Sequence, residues 1–248
     1  MWLLSVNSLK SAMMIFRSSK MEPIKADIWI GSAKIPQVRS HRHLGVTFNE
    51  TLSWSDHVNQ IISSASSKIG FLRRLKKSLD QLVLRDLYLL SIRPAMEYAS
   101  LVWAGLSKTE ANRLEKCDQS AARLIAKISI RADLPRHLLL ACAGLESLEV
   151  RRKVAQVKFC LKTNGIASCS MSRRLSDHLQ SAISSWMSVP SRRSTEHRSS
   201  NLSIRLPRPI KNTQRNSPLY SAFSTWNSLP LSLQKSPTHA SITLYFSS

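Results

Sequence analysis

Residues 53–77 read SWSDHVNQIISSASSKIGFLRRLKK, and their reading decides the fold class. Val58, Ile61, Ile62, Ala65, Ile69 and Leu72 recur at the three, four and seven spacing that lays apolar groups along one helical face. Ser53, three residues ahead of Asp56, predicts an N-cap pairing, and Arg73, Arg74, Lys76 and Lys77 suit the negative end of the helix dipole. Taken alone, those four cations read equally well as a solvated helix end.

Downstream the same periodicity continues. A second helix is expected from Asp80 through Val83, Leu87 and Leu90, bending or stopping near Pro94, whose ring excludes an interior hydrogen bond. Ser107 and Glu110 form a capping-box signature for a third helix burying Leu114, Cys117, Ala121, Leu124 and Ile125. A fourth runs from Leu148 through Val150, Val154, Val157 and Leu161 and closes at Asn164 and Gly165. Between Ser168 and Ser203 serines alternate with Arg173, Arg174, Arg192, Arg193 and Arg198, too polar a mixture to build a core. Tyr220, Phe223, Trp226, Leu229, Leu231 and Leu233 then supply anchors for docking onto a helical body.

Upstream, the runs 12–16 (AMMIF), 27–30 (DIWI) and 43–48 (HLGVTF), punctuated by Pro23, Gly31 and Pro36, predict a small antiparallel sheet. The expected fold is therefore mainly α with a small N-terminal antiparallel β element. Four regions follow: a β element over 1–52, a helical domain over 53–166, a basic serine-rich arm over 167–216 and a C-terminal docking segment over 217–248.

The 248 residues carry 36 Lys+Arg against 15 Asp+Glu, a net charge of +21 that draws the chain to polyanions. Cys117, Cys142, Cys160 and Cys169 include no CxxC pair, so neither a zinc knuckle nor a disulfide scaffold is expected, and reduced thiols are. No stretch approaches a membrane span, and no basic segment precedes the apolar opening, so an intracellular site, nuclear or cytoplasmic, is expected rather than secretion. His41 and His43 share one face of a strand, a spacing that can ligate metal, but no third ligand accompanies them and no metal site is expected. Trp54, Tyr98 and Trp103 lie among apolar neighbours and read as core anchors.

Several blocks, in order, resemble the region after the catalytic motif of non-LTR (LINE, jockey-like) retrotransposon reverse transcriptases. WLLSVNSLKSAMMIF resembles the family's Asn-x-x-Lys-Thr/Ser segment through Asn7, Lys10 and Ser11. HLGVTFNETLSWSDHV is similar to its Leu-Gly-Val strand, Leu-x-Trp and helix-heading His, here Leu44, Gly45, Val46, Leu52, Trp54 and His57; His43 departs from the aromatic residue usual before Leu-Gly-Val. KIGFLRRLKK, IRPAMEYASLVWAG, NRLEKCDQSAARLI and GLESLEVRRKVAQVKF follow, and Trp226, Asn227, Leu229 and Pro230 match a shared Trp-Asn-x-Leu-Pro ending.

The resemblance implies a post-catalytic part of the palm, then a thumb-like helical bundle and its extension. It places Lys10 near a departing pyrophosphate, although a surface lysine before a strand reads the same way. Leu44, Gly45 and Val46 would form a primer-grip-like hairpin; the bare alternative for Gly45 is a bulge. Lys68, Arg73, Arg74, Lys76, Lys77, Arg151, Arg152 and Lys153 become candidate phosphate contacts with RNA, DNA or an RNA–DNA hybrid.

Two-metal phosphoryl transfer needs a carboxylate pair, and no two of Asp27, Asp56, Asp80, Asp86, Asp118, Asp133 and Asp177 are adjacent. The family's catalytic aspartates lie N-terminal to these blocks. The chain is thus expected to be a remnant of an RNA-directed DNA polymerase, inactive alone, with Mg²⁺ belonging only to an intact polymerase and an upstream half as a conceivable partner. The competing class is a helical protein-interaction module with a basic arm.

Overall fold

The structure, a computed structural model, describes residues 6–163, 217–235 and 237–247. The serine-rich arm and the helix stop at Asn164 and Gly165 fall outside them. The chain is mainly helical with two small antiparallel sheets. Its contacts divide into two compact units, Met1–Ser64 and Ala65–Ser248.

In the first unit, Asn7 opens a single 3-10 turn over Ser8–Lys10: its Oδ1 accepts the Leu9 N–H at 3.0 Å, and Ser11 Oγ donates to its carbonyl at 2.8 Å. The run 12–16 is not a strand. Met13 alone bridges to Gln37, donating to the Pro36 carbonyl and accepting from Val38 N–H, and the ladder stops where Pro36 brings no N–H.

Instead of one sheet there are two hairpins. Strand β1 (Ile28–Ile30) pairs with β2 (Ala33–Ile35), and β3 (Ser40–His43) with β4 (Val46–Asn49), all antiparallel. The run 43–48, read as one strand, is broken at its centre: Leu44 at φ +46° and Gly45 at φ +82° form the two-residue turn closing His43 onto Val46. Positive φ at both positions matches a hairpin's twist, so Gly45 is a turn residue and not a bulge. Leucine is ill suited to the first of these positions, because its Cβ crowds the following carbonyl.

Helix α1 (Ser55–Leu75) follows directly. Ser53 does not pair with Asp56; its Oγ lies 3.4 Å from the Ser55 N–H, while the Asp56 carboxylate accepts from the Asn49 amide at 3.2 Å. Trp54 is buried edge-on against Phe48, with ring centroids 5.6 Å apart. One turn on, His57 Nδ1 accepts the Thr47 N–H at 3.3 Å and Gln60 Oε1 accepts the Thr47 hydroxyl at 2.6 Å, which ties α1 to β4. Burial, and secondarily the charge of Arg42, holds the His57 imidazole below its ordinary value.

In the second unit, α2 (Gln81–Ser91) buries Leu84 and Tyr88, while Val83 and Leu90 face solvent. The face expected from Val83, Leu87 and Leu90 is rotated, because Leu84 and Tyr88 turn toward α4. The helix breaks at Ile92, just ahead of Pro94, and a new one begins. Pro94 sits in the first turn of α3 (Arg93–Glu97), where a missing N–H costs nothing.

Helix α4 (Lys108–Ile125) has the capping box at Ser107 and Glu110 and buries all five residues read from its pattern. Helix α5 (Arg136–Cys142), absent from the sequence reading, precedes α6 (Leu148–Thr163). Helices α7 (Pro218–Asn227), α8 (Leu231–Lys235) and α9 (His239–Ser247) complete the described chain. Phe223, Trp226, Leu229 and Ile242 share a core with Val150, Val154, Val157 and Leu161 of α6. Gln156 of α6 seals that contact, donating to Ser221 Oγ at 3.0 Å and accepting from Thr225 Oγ1 at 2.5 Å. Gln234 donates to the carbonyls of Trp226 and Leu229, which fixes the short bend between α7 and α8.

Two outcomes follow. Leu44→Asn should raise stability by about 0.5–1 kcal/mol, because asparagine accepts the left-handed conformation; a denaturation midpoint that stays or falls would contradict this. For His57, the unfolded imidazole takes its proton near 6.5 and the folded one below it, so stability is lost as pH falls through that window. His57→Gln keeps an acceptor and removes the titration. Between about pH 7.5 and about pH 5.5 the variant should lose less thermal stability than the parent protein.

Candidate nucleic-acid interface

The C-terminal turns of α1 and the residues after it hold Lys68, Arg73, Arg74, Lys76 and Lys77. On α1 the apolar face carries Ile69 and Leu72 inward, so the flanking Lys68, Arg73 and Arg74 turn outward, while Lys76 and Lys77 lie in the turn that follows the helix. Lys68 Nζ donates to the Ser91 carbonyl at 3.1 Å, and the Arg74 guanidinium lies over the Phe71 ring, 5.5 Å from its centroid. Arg73, Lys76 and Lys77 make no ion pair with any described residue. An unmatched cationic helix end of this kind can meet phosphate oxygens without reading bases.

The second basic group is differently placed. Successive residues on α6 point about 100° apart, and each of the three meets a different acid. Arg151 is bidentate on Glu97 and reaches Glu146 Oε2 at 3.2 Å. Arg152 is buried, with Nη2 3.0 Å from Glu115 Oε1. Lys153 pairs with Glu149 at 2.9 Å and lies over the Phe246 ring, 5.3 Å from its centroid. Among the described residues they share no contact with the α1 cations; they hold helices together.

Around them lies a polar network that sequence reading missed. Asp118 of α4 is fully buried, accepts the Tyr88 hydroxyl and lies 3.5 Å from Arg93 Nη2. Arg93 also donates to the Glu146 carbonyl at 2.6 Å and stacks over the Tyr88 ring. Glu115, one helical turn earlier, takes both Arg136 of α5 and Arg152 of α6. Burial pushes the Asp118 and Glu115 carboxyls above their ordinary values, against the pull of those arginines. It pushes the Tyr88 hydroxyl up as well. The available signal was Asp118 on the stripe of Leu114, Ala121 and Ala122, an acid where only apolar groups belong.

Of the remaining candidates, Lys10 is exposed on its 3-10 turn, and Leu44 stands at the hairpin tip, 78% exposed, beside Gly45 and the buried Val46. Trp54 and Trp103 are buried, Trp103 donating to the Tyr98 carbonyl at 2.9 Å. Tyr98 itself is 54% exposed and is not a core anchor, because α3 ends there and turns its ring out. Among the described residues no three His, Cys, Asp or Glu are grouped to hold a metal ion. None of their helices is long and apolar enough to cross a membrane. Cys117 and Cys160 are buried free thiols and Cys142 is an exposed one.

Half of the chain is similar in sequence to two probable RNA-directed DNA polymerases from transposons. Over 127 residues, 50% of the chain, it is 24% identical to the probable RNA-directed DNA polymerase from transposon BS of Drosophila melanogaster. It is 25% identical over 127 residues to the corresponding protein from transposon X-element of the same organism. Each match covers 14% of the relative's length. No family model matches the chain, and no solved structure does.

The network makes a stability contrast measurable by chemical denaturation. Glu115→Ala strands the buried Arg152 and should cost about 3–5 kcal/mol. Glu149→Ala breaks only the half-exposed pair with Lys153 and should cost less than about 1 kcal/mol. Equal losses would mean that Glu115 is an ordinary surface acid.

Proposed function

We propose that the chain is a thumb-side, nucleic-acid-binding portion of a non-LTR retrotransposon reverse transcriptase, gripping the backbone of RNA, DNA or their hybrid. The observation that carries this reading is the outward cationic end of α1, where Arg73, Lys76 and Lys77 have no acidic partner among the described residues. Relatedness of half the chain to transposon polymerases supports it. So does the net charge of +21. In this reading Leu44, Gly45 and Val46 form a primer-grip-like tip, and Lys10 is a surface cation of the palm side.

The phosphate contacts are Lys68, Arg73, Arg74, Lys76 and Lys77. Arg151, Arg152 and Lys153 act instead as struts, since their charges are already matched. The described residues do not fit a two-metal centre, and no catalytic step is assigned to them. A second reading, docking of a protein partner, is favoured by the apolar side chains of Leu82, Val83 and Leu90 exposed on α2.

Duplex binding measured against salt tests the proposal. Changing Arg73, Arg74, Lys76 and Lys77 to alanine should weaken binding for all sequences alike and flatten the slope of log affinity against log salt by about 0.9 per lost contact. Removing Arg173, Arg174, Arg192 and Arg193 is the charge-matched control. Equal losses from both sets would reduce binding to diffuse net charge, and no loss from either would leave the protein-docking reading.

A further inference from the structure

Strand β3 leaves its outward backbone open, and we infer that it takes up an extended acidic peptide as an added strand. The phase of the hairpin follows from one bond, the Glu50 N–H donating to the Arg39 carbonyl at 2.9 Å. Antiparallel pairs alternate between bonded and non-bonded, and the register sets Ser40 opposite Asn49 and Arg42 opposite Thr47. Ser40 and Arg42 therefore turn both N–H and C=O away from β4.

The two edges of this hairpin are treated differently. On β4, the Thr47 N–H is taken by His57 Nδ1 at 3.3 Å, and the Asn49 carbonyl accepts the Leu52 N–H at 3.0 Å. On β3, the outward groups of Ser40 and Arg42 meet no hydrogen-bonding partner among the described residues, and all four residues of the strand are exposed. No proline or bulge blunts this edge, so it is a template for pairing.

Chemistry selects the occupant. The open edge presents donors and acceptors alternately. A phosphodiester backbone carries acceptors only and would leave the Ser40 and Arg42 carbonyls unmet, whereas a peptide strand supplies both. Arg39, His41, Arg42 and His43 line the edge with no acid among them, which opposes a second copy of β3 and favours a partner rich in Asp or Glu. The chain's own residues 164–216 are a poor fit, since Asp177 and Glu196 are their only acids amid many arginines.

The test uses the full chain and a fluorescein-labelled hexapeptide of alternating glutamate and valine, read by anisotropy and by amide exchange. Saturable binding with slowed exchange at Ser40 and Arg42 is expected. A peptide N-methylated at every amide keeps its charge but loses its donors, and should bind about tenfold weaker or worse. Ser40→Pro removes an outward N–H without touching the β3–β4 ladder and should weaken binding similarly, with protection of the Phe48 N–H, which faces His41 in the ladder, showing that the hairpin persists. The inference is overturned by absent binding, by equal binding of the N-methylated peptide, or by oligothymidylate giving the same protection at Ser40 and Arg42.

Discussion

The buried acids of α4 are the constraint on which the helical unit depends. Glu115 and Asp118 sit where the apolar stripe of that helix would otherwise continue, and they must be matched by partners brought from elsewhere. Tyr88 comes from α2, Arg93 from α3, Arg136 from α5 and Arg152 from α6. Apolar contacts are non-directional and tolerate a rotated helix. A buried carboxylate does not, because losing its guanidinium exposes the full desolvation cost of both charges. The network thus fixes how four helices are turned about α4, and it explains why α2 presents Leu84 and Tyr88 inward while Leu82 and Leu90 remain outside.

That internal use of arginine changes what the net charge means. Arg93, Arg136, Arg151 and Arg152 belong to the frame, so composition alone overstates the charge offered to a polyanion. Among the cations outside that frame, Arg73, Arg74, Lys76 and Lys77 cluster where α1 ends, next to the turn that leads into α2. In the proposed reading, the cations offered to phosphate are distinct from those that hold the helices together, even where both are consecutive basic residues.

The first unit follows a different logic. It is small and holds its hairpin through backbone capping as much as through burial: His57 and Gln60 of α1 take the outward groups of Thr47, while Trp54 closes on Phe48. The opposite edge is left to solvent. The strained Leu44 turn stands at the tip of the same hairpin, where an asparagine or glycine would sit more easily.

Much of the architecture was legible in the sequence. The 3.6-residue periodicity of α1, α4 and α6 and the capping box at Ser107 and Glu110 are local signals, since the hydrogen bonds and apolar stripes that make them lie within one segment. The break of 43–48 into two strands was hidden, because the exposed β3 shows no alternation of apolar and polar residues. Helix α5 escaped because seven residues carry too little periodicity. For the candidate site, sequence put Arg73 and Arg151 in the same class, a basic residue on a helix. Only tertiary structure separated them: Glu97 and Glu146 reach Arg151 across 54 and 5 residues of chain, and no acid among the described residues reaches Arg73. Charge is written in the sequence, but its neutralisation depends on distances that only packing sets.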